Sequence, residues 1–332
     1  MAVSVRDVAA AASVSVGTVS NVLNHPDRVA ADTVARVQAA IADLGFVRND
    51  AARQLRAGRS RSLGLVVLDV ANPFFAEVAR GAEDRATAEG MTVLLGNSAQ
   101  DAAREGAYLD LFREQRVNGV LLTPATAGEE RVRGLVDAGI PVILVDAEAE
   151  GVPSVAVDDV DGGYLAVSHL LSLGRRRVAF VGGPSGVRQV ADRLEGARRA
   201  VAEHPDATLE VFEQPALSVL EGRAVGEQLA HRPAADRPDA VFCANDLLAV
   251  GMLQGLSILG DVTVPGDIAL IGYDDIDFAS ATVVPLSSIR QPAREIGAAA
   301  VELLFEGMRE PDASPRTVRF QPELVVRAST VG

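Results

Sequence analysis

The sequence predicts a small all-α headpiece joined by a short linker to a large α/β domain built as two doubly wound, parallel-sheet subdomains. Three observations predict this class. Only helical periodicity runs through Gly45, whereas from Leu63 onward strand-like apolar runs alternate with helical stretches. The 332 residues also exceed what one core usually serves, about 150 residues per domain.

The headpiece pattern places Val5, Val8, Ala9 and Ala12 on one helix face, then Val19, Val22 and Leu23, then Val34, Val37, Ile41 and Leu44. Three short amphipathic helices follow. Ser4 with Asp7 reads as a capping box and Ser15 as the N-cap of the second helix. Between Arg48 and Arg61 the chain is polar and Arg-rich, with Gly58 able to end a short helix, which marks a linker. Strand-like runs then appear at Leu63–Val70, Met91–Leu95, Gly119–Leu122, Pro141–Val145, Val178–Val181, Ala240–Phe242 and Ile268–Ile271. Their apolar character is continuous, which suits parallel strands covered on both faces. The expected organisation is a headpiece over 1–46, a hinge over 47–60 and an α/β domain over 61–332. Within that domain a subdomain boundary is expected near Asp158, with the chain crossing back near 290.

The net charge of −14 argues against a polyanionic partner, but its distribution reverses the argument for one end. Met1–Ser62 carries eight Arg against five Asp, a net +3, and the rest of the chain carries −17. No apolar run approaches the roughly 18 residues that span a bilayer, and Arg6 and Asp7 interrupt any signal-peptide core, so a cytoplasmic protein without membrane contact is expected. The single cysteine, Cys243, excludes an intrachain disulfide, and four scattered histidines suggest no metal site. No nucleophile elbow, Walker loop or complete dinucleotide fingerprint is present, so neither an enzyme nor a cofactor is expected. Asp159-Val160-Asp161-Gly162 lacks the spacing and terminal Glu of a calcium loop and reads as a loop and helix cap.

A helix that enters the DNA major groove needs small or hydrogen-bonding residues outside and apolar residues inside. Ser15 to Asn24 meets this: Val19, Val22 and Leu23 face inward, and Val16, Gly17, Thr18, Ser20 and Asn21 face outward. By pattern alone, an Ala/Val-rich helix pair is more often plain core.

Asp7-Val8-Ala9, Val14-Ser15, Thr18 through Asn24, Val29, Thr33, Val37 and Ile41 together resemble the helix-turn-helix headpiece of the lac-repressor family of bacterial transcription regulators. Asn49 to Gly58 resembles its hinge helix. Asn72-Pro73-Phe74-Phe75, Arg193-Leu194-Glu195-Gly196, Ala244-Asn245-Asp246 and Gly272-Tyr273-Asp274-Asp275 resemble its periplasmic-binding-protein-like effector domain. The resemblance implies base contacts by Val16, Gly17, Asn21 and Arg28, and phosphate contacts by Ser4, Ser15, Thr18, Ser20, Asn24 and Thr33. It implies that Leu55 wedges into the minor groove, with Ala52 allowing close helix approach; packing against the effector domain is the alternative for Leu55. Phe46, Val47 and Arg48 stand where the family usually has Tyr-x-Pro before the hinge.

For the effector the resemblance implies Phe74, Phe75, Asp146, Arg193, Asn245 and Asp274, with Arg193 and Asp274 clamping a polar ligand. A structural salt bridge for Arg193 and core packing for Phe74 and Phe75 remain open. Purine-binding members stack the base on aromatic side chains; here Ala147 stands where a tryptophan is expected and the chain has no Trp, which favours a sugar or other polar metabolite. A periplasmic-type sugar-binding protein would share residues 63–332, and the Arg-rich headpiece argues against it. The reading is therefore a repressor acting on double-stranded DNA at a pseudo-palindromic operator, as a homodimer, since no leucine-heptad extension follows to build a tetramer.

Overall fold

The computed structural model describes residues 3–46, 60–125, 129–258 and 262–331. It divides into two compact units, Met1–Ser60 and Arg61–Gly332.

In the first unit, α1 (Val5–Ala11), α2 (Val16–Asn24) and α3 (Ala31–Leu44) pack around Val8, Ala9, Ala12, Val19, Val22, Val37 and Ala40. The helices start where short polar side chains can satisfy free backbone amides. Ser4 accepts from the Asp7 amide at 3.4 Å while the Asp7 carboxylate accepts from the Ser4 amide at 2.8 Å, completing the capping box. Ser15 accepts from the Thr18 amide at 3.0 Å. Between α1 and α2, Ser13 takes a positive φ of 54° and turns the chain, its amide donating to the Ala10 carbonyl. Gly45, at φ 60°, ends α3, and the following Phe46 amide reaches back to the Ile41 carbonyl. Replacing Ser15 with Ala removes the α2 cap and is expected to destabilise this unit by about 1 kcal/mol. Amide hydrogen exchange across 16–24 checks it: unchanged protection would show that the cap is idle.

The second unit holds two six-stranded sheets. The first contains β1 (Ser62–Val67), β2 (Thr92–Asn97), β3 (Gly119–Leu122), β4 (Val142–Val145), β5 (Ser154–Val157) and β11 (Thr317–Phe320), in the order β11-β5-β4-β3-β1-β2. The second contains β6 (Arg177–Gly182), β7 (Thr208–Glu213), β8 (Ala240–Cys243), β9 (Ala269–Asp274), β10 (Ser287–Arg290) and β12 (Glu323–Val325), in the order β12-β10-β9-β8-β6-β7. Every pairing is parallel except β10 with β12. Central strands β1, β3, β4, β8 and β9 are buried almost throughout, as their continuous apolar runs require; edge strands β2 and β7 are largely exposed.

The helices are α4 (Pro73–Ala88), α5 (Ala102–Glu114), α6 (Glu129–Asp137), α7 (Asp159–Ser172), α8 (Arg188–Ala202), α9 (Val219–Ala230), α10 (Asp246–Ile258), α11 (Asp277–Ala281) and α12 (Ala293–Arg309). The chain leaves the first sheet after β5, returns after β10 through α12, which packs on α4, and crosses once more between β11 and β12. Three helix pairs, α4–α12, α7–α8 and α9–α10, touch backbone to backbone through reciprocal glycines. A Cβ on Gly81 would strike the Arg294 carbonyl and one on Gly297 the Val78 carbonyl; in the α7–α8 pair, Gly163 and Gly196 meet Arg193 and Val160 in the same way. The second contact sets the position of the Arg193 side chain.

Candidate functional site

The outer face of α2 carries Val16, Gly17 and Asn21, all exposed, and its inner face carries buried Val19 and Val22. An added Cβ at Gly17 would meet only the Ser15 hydroxyl at 3.5 Å, so the fold tolerates a side chain there. Arg28 is exposed on the short 3-10 turn Pro26–Arg28 that follows. Among the candidate phosphate ligands, Ser4 already donates its hydroxyl to Asp7 at 2.8 Å. Ser15 and Thr18 share one hydroxyl hydrogen bond of 2.9 Å, which leaves the pair one proton to offer a phosphate. Asn24 donates to the Ser20 carbonyl at 2.9 Å, and Thr33 lies in the first turn of α3. Ala52 and Leu55, the hinge candidates, lie outside the described residues.

In the second unit, Phe74, Phe75, Asp146, Arg193, Asn245 and Asp274 line one cavity of about 40 Å³, together with Asn72, Gln189 and Leu217. The fold brings them together because all but Arg193, which lies in the second turn of α8, stand at the carboxyl end of a strand or begin the next helix. Asp146 after β4 and Asp274 at the end of β9 both hold a positive φ, 55° and 102°, a conformation L residues adopt at a cost.

Arg193 is buried, its Nε donating to Asp159 Oδ1 at 2.7 Å and its Nη1 to the Ala244 carbonyl at 2.7 Å. Its guanidinium lies 3.7 Å from the Tyr273 ring centroid and its Nη1 3.9 Å from Asp274 Oδ1. Two of its donors are thus already committed to structure. Asp274 accepts from Asn72 Nδ2 at 2.9 Å and from Gln291 Nε2 at 2.8 Å, so its carboxylate ties the two subdomains directly. A second tie runs from Gln189 Nε2 to the Asp146 carbonyl at 2.7 Å and to Asp146 Oδ2 at 3.0 Å. Asp146 Oδ1 is buried with no hydrogen-bond partner, an acceptor at the cavity wall. Asn245 works as a cap, accepting from the Leu248 amide at 2.9 Å and donating to the Leu217 carbonyl at 3.3 Å. Phe74 and Phe75 meet edge to face at 5.1 Å and 71°, belonging both to the hydrophobic core and to the cavity wall.

Burial pushes Asp274 up to about 6, against the opposing pull of Arg193. Burial, reinforced by the Asp159 carboxylate, holds Asp146 well above the usual carboxylate range. For Arg193 burial opposes the charge, but Asp159 and its other acidic neighbours outweigh it and raise the pKa. Among the described residues no cluster of His, Cys, Asp or Glu could hold a metal ion, and no helix is long and apolar enough to cross a membrane. Asp158 caps α7 by accepting from the Asp161 amide at 3.0 Å.

Residues 4–49 match the lacI family of bacterial regulatory proteins, and residues 167–330 match the periplasmic binding protein-like domain. The HTH-type transcriptional repressor PurR of Aliivibrio fischeri (strain MJ11) is 32% identical over 338 residues, covering 98% of each chain. This chain belongs to the lacI family. Among solved structures, the lac repressor dimer bound to operator and the anti-inducer ONPF superimposes with a TM-score of 0.85 at 26% identity, covering 100% of both chains. A LacI family transcriptional regulator from Enterococcus faecium with bound ribose matches with a TM-score of 0.73 at 30% identity, over 81% of this chain and 98% of that one. The lacI-family chain is therefore a DNA-binding transcription regulator and not an enzyme, with a helix-turn-helix headpiece and a periplasmic-binding-protein-like domain.

The sequence reading of this lacI-family regulator passed over Asn72, Asp159, Gln189 and Gln291. A signal existed for two of them: Asn72 opens the Asn-Pro-Phe-Phe run, and Gln189 lies one helical turn before Arg193. Asp159 was read only as part of a loop and helix cap, and no local pattern marks Gln291; both are far from their partners in sequence.

Proposed function

We propose that the chain is a cytoplasmic repressor that binds a pseudo-palindromic operator as a homodimer, and that a carbohydrate in the cleft controls its operator affinity. The observation that carries the carbohydrate reading is the wall of the 40 Å³ cavity. Three carboxylates, Asp69, Asp146 and Asp274, one of them with an open acceptor, line it with side-chain amides and a guanidinium, and a ring can cover the C–H face of a sugar. Sugar hydroxyls both donate and accept, which such a mixed set demands. A flat nucleobase wants parallel aromatic faces, whereas Phe74 and Phe75 stand at 71° and only one can lie along a planar ligand. The ribose-bound relative supports the same class.

Support for self-association comes from exposed apolar side chains: Leu94 and Leu95 on edge strand β2, and Leu220, Phe278 and Val283 in the second subdomain. A two-fold dimer presents two reading helices, so the operator should carry two inverted half-sites. Footprinting with the full chain tests this, and occupancy of one unsymmetrical half-site by a monomer would defeat it. Asn21 can pair bidentately with an adenine, so Asn21→Ala is expected to weaken specific operator binding by about 1–3 kcal/mol while leaving the salt dependence set by phosphate contacts nearly unchanged. Equal loss on specific and random DNA would remove Asn21 from base readout.

A further inference from the structure

A separate cavity, of about 510 Å³, lies where the chain passes between the two sheets. Its walls come from the start of α4, the turn from β9 into α11, the β10–α12 crossover and the β11–β12 crossover. With the 40 Å³ cavity it shares only Phe74 and Asp274. Six acidic side chains line it against two arginines. Both arginines are committed: Arg294 pairs with Glu77 at 3.1 Å, and Arg290 with Asp275 at 2.8 Å and with Glu323 at 3.7 Å. Asp277 and Glu295 are exposed, and their carboxylates have neither an ion pair nor a hydrogen bond among the described residues.

An acidic wall by itself asks only for water and counterions, but the deeper wall supplies an independent signal. Gln291 lines the cavity at 4% exposure and donates Nε2 to Asp274 Oδ1 at 2.8 Å, while its Oε1 is buried with no hydrogen-bond partner. The amide cannot be turned over, because Oε1 would then face the Asp274 carboxylate. A buried acceptor without a donor is costly, and a molecule in the cavity can supply one.

The ligand class follows from what the walls lack. An anion finds no uncommitted cation. Among the described residues no set of three ligating side chains could hold a metal ion, and 510 Å³ falls within the range of small-molecule sites, roughly 300–1,000 Å³. An ammonium group only donates, so it suits the carboxylates and the Gln291 carbonyl alike.

We propose that this cavity is a second ligand site, for a linear diamine or polyamine, with one ammonium group at Gln291 Oε1 and another between Asp277 and Glu295. Bound there, the cation joins α11 to α12 across the chain crossover. Gln291 also donates to Asp274, so an ammonium on Oε1 polarises the amide and strengthens its bond to a residue of the effector cavity. The site does not rest on the carbohydrate reading, and its test needs neither effector nor DNA.

That test is titration calorimetry on the full chain with putrescine and spermidine at constant ionic strength, with n-butylamine and magnesium chloride as comparators. One saturable site is expected for at least one of the two polyamines, with butylamine and magnesium at least about tenfold weaker. Asp277→Asn combined with Glu295→Gln should weaken that polyamine about tenfold, as the loss of two exposed ion pairs implies. Both positions are exposed, so the double variant should melt with the parent. Gln291→Met, which removes the buried acceptor, should also cost about tenfold. If it fails to fold, the double variant still decides. No saturable binding of either polyamine, magnesium binding as tightly as spermidine, or parental affinity in the double variant overturns the site and leaves the acidic wall an ordinary solvated surface.

Discussion

Replacing Arg193 by Met is expected to lower the thermal midpoint of the Arg61–Gly332 unit by on the order of 10 °C. The guanidinium is buried, bonded to Asp159 at 2.7 Å and to the Ala244 carbonyl at 2.7 Å, and it lies over the Tyr273 ring. Methionine keeps the volume and removes the charge, leaving Asp159 buried at 6% exposure without its partner. Breaking a buried pair from one side costs about 3–5 kcal/mol, and roughly 2–4 °C accompanies each kcal/mol in a unit of this size. Removing both charges, with Arg193→Met and Asp159→Asn together, should recover much of the loss, because the uncompensated carboxylate is gone. A single variant that melts within about 2 °C of the parent would show that the pair does not hold the α7–α8 contact, and Arg193 would return to being a ligand group alone.

The second large effect is on ligand response. Asp274→Asn is expected to weaken binding of the effector about a hundredfold, the combined loss of two charge-assisted hydrogen bonds at roughly 1.5 kcal/mol each. The parent should also show a pH profile that the variant lacks. Burial raises the folded pKa of Asp274 to about 6, above its ordinary 3.8, so as pH falls through about 6 the carboxylate takes a proton and can no longer accept from two partners at once. Effector affinity therefore drops on the acid side. Stability moves the opposite way for this group. Between its unfolded and folded pKa values the native state binds the extra proton, so its contribution to stability falls as pH rises through that window and is lowest above about 6. Asp274→Asn escapes that cost but loses the Asn72 bond, so its melting temperature at neutral pH should not fall by more than about 2 °C. Thermal melts and calorimetry between pH 5 and 8 decide: a variant with parental affinity and the parental pH profile takes Asp274 out of the site.

Much of the architecture was legible in the chain because the signals were local. Val8, Val19 and Val37 announce three helices by spacing alone, Ser4 and Asp7 announce the first helix start, and the continuous runs of β3, β4, β8 and β9 announce strands covered on both faces. Strands β5, β7, β10, β11 and β12 escaped for a physical reason. β7 and β11 lie on sheet edges with many exposed positions; β10 carries serines whose hydroxyls are satisfied by tertiary partners, such as Ser288 with Asp246 at 2.7 Å, and β5 is only four residues long. The further crossing between β11 and β12 has no signal in the sequence, because a three-residue strand leaves almost no periodicity to read.

By itself the sequence determined the two-part class of the protein and the outward set of α2, since these depend on residue type and helical period; the side chains that line the cavity were named by the resemblance to the lac-repressor family. Only the tertiary structure decided what those side chains do there. Arg193 turned out to be committed to Asp159 and Ala244, Asn245 to capping α10, and Asp274 to a tie between subdomains through Asn72 and Gln291. The physical reason is that a hydrogen bond is fixed by distance and direction between atoms far apart in the chain: Asn72 and Asp274 are 202 positions apart, and no local pattern encodes that they meet at 2.9 Å.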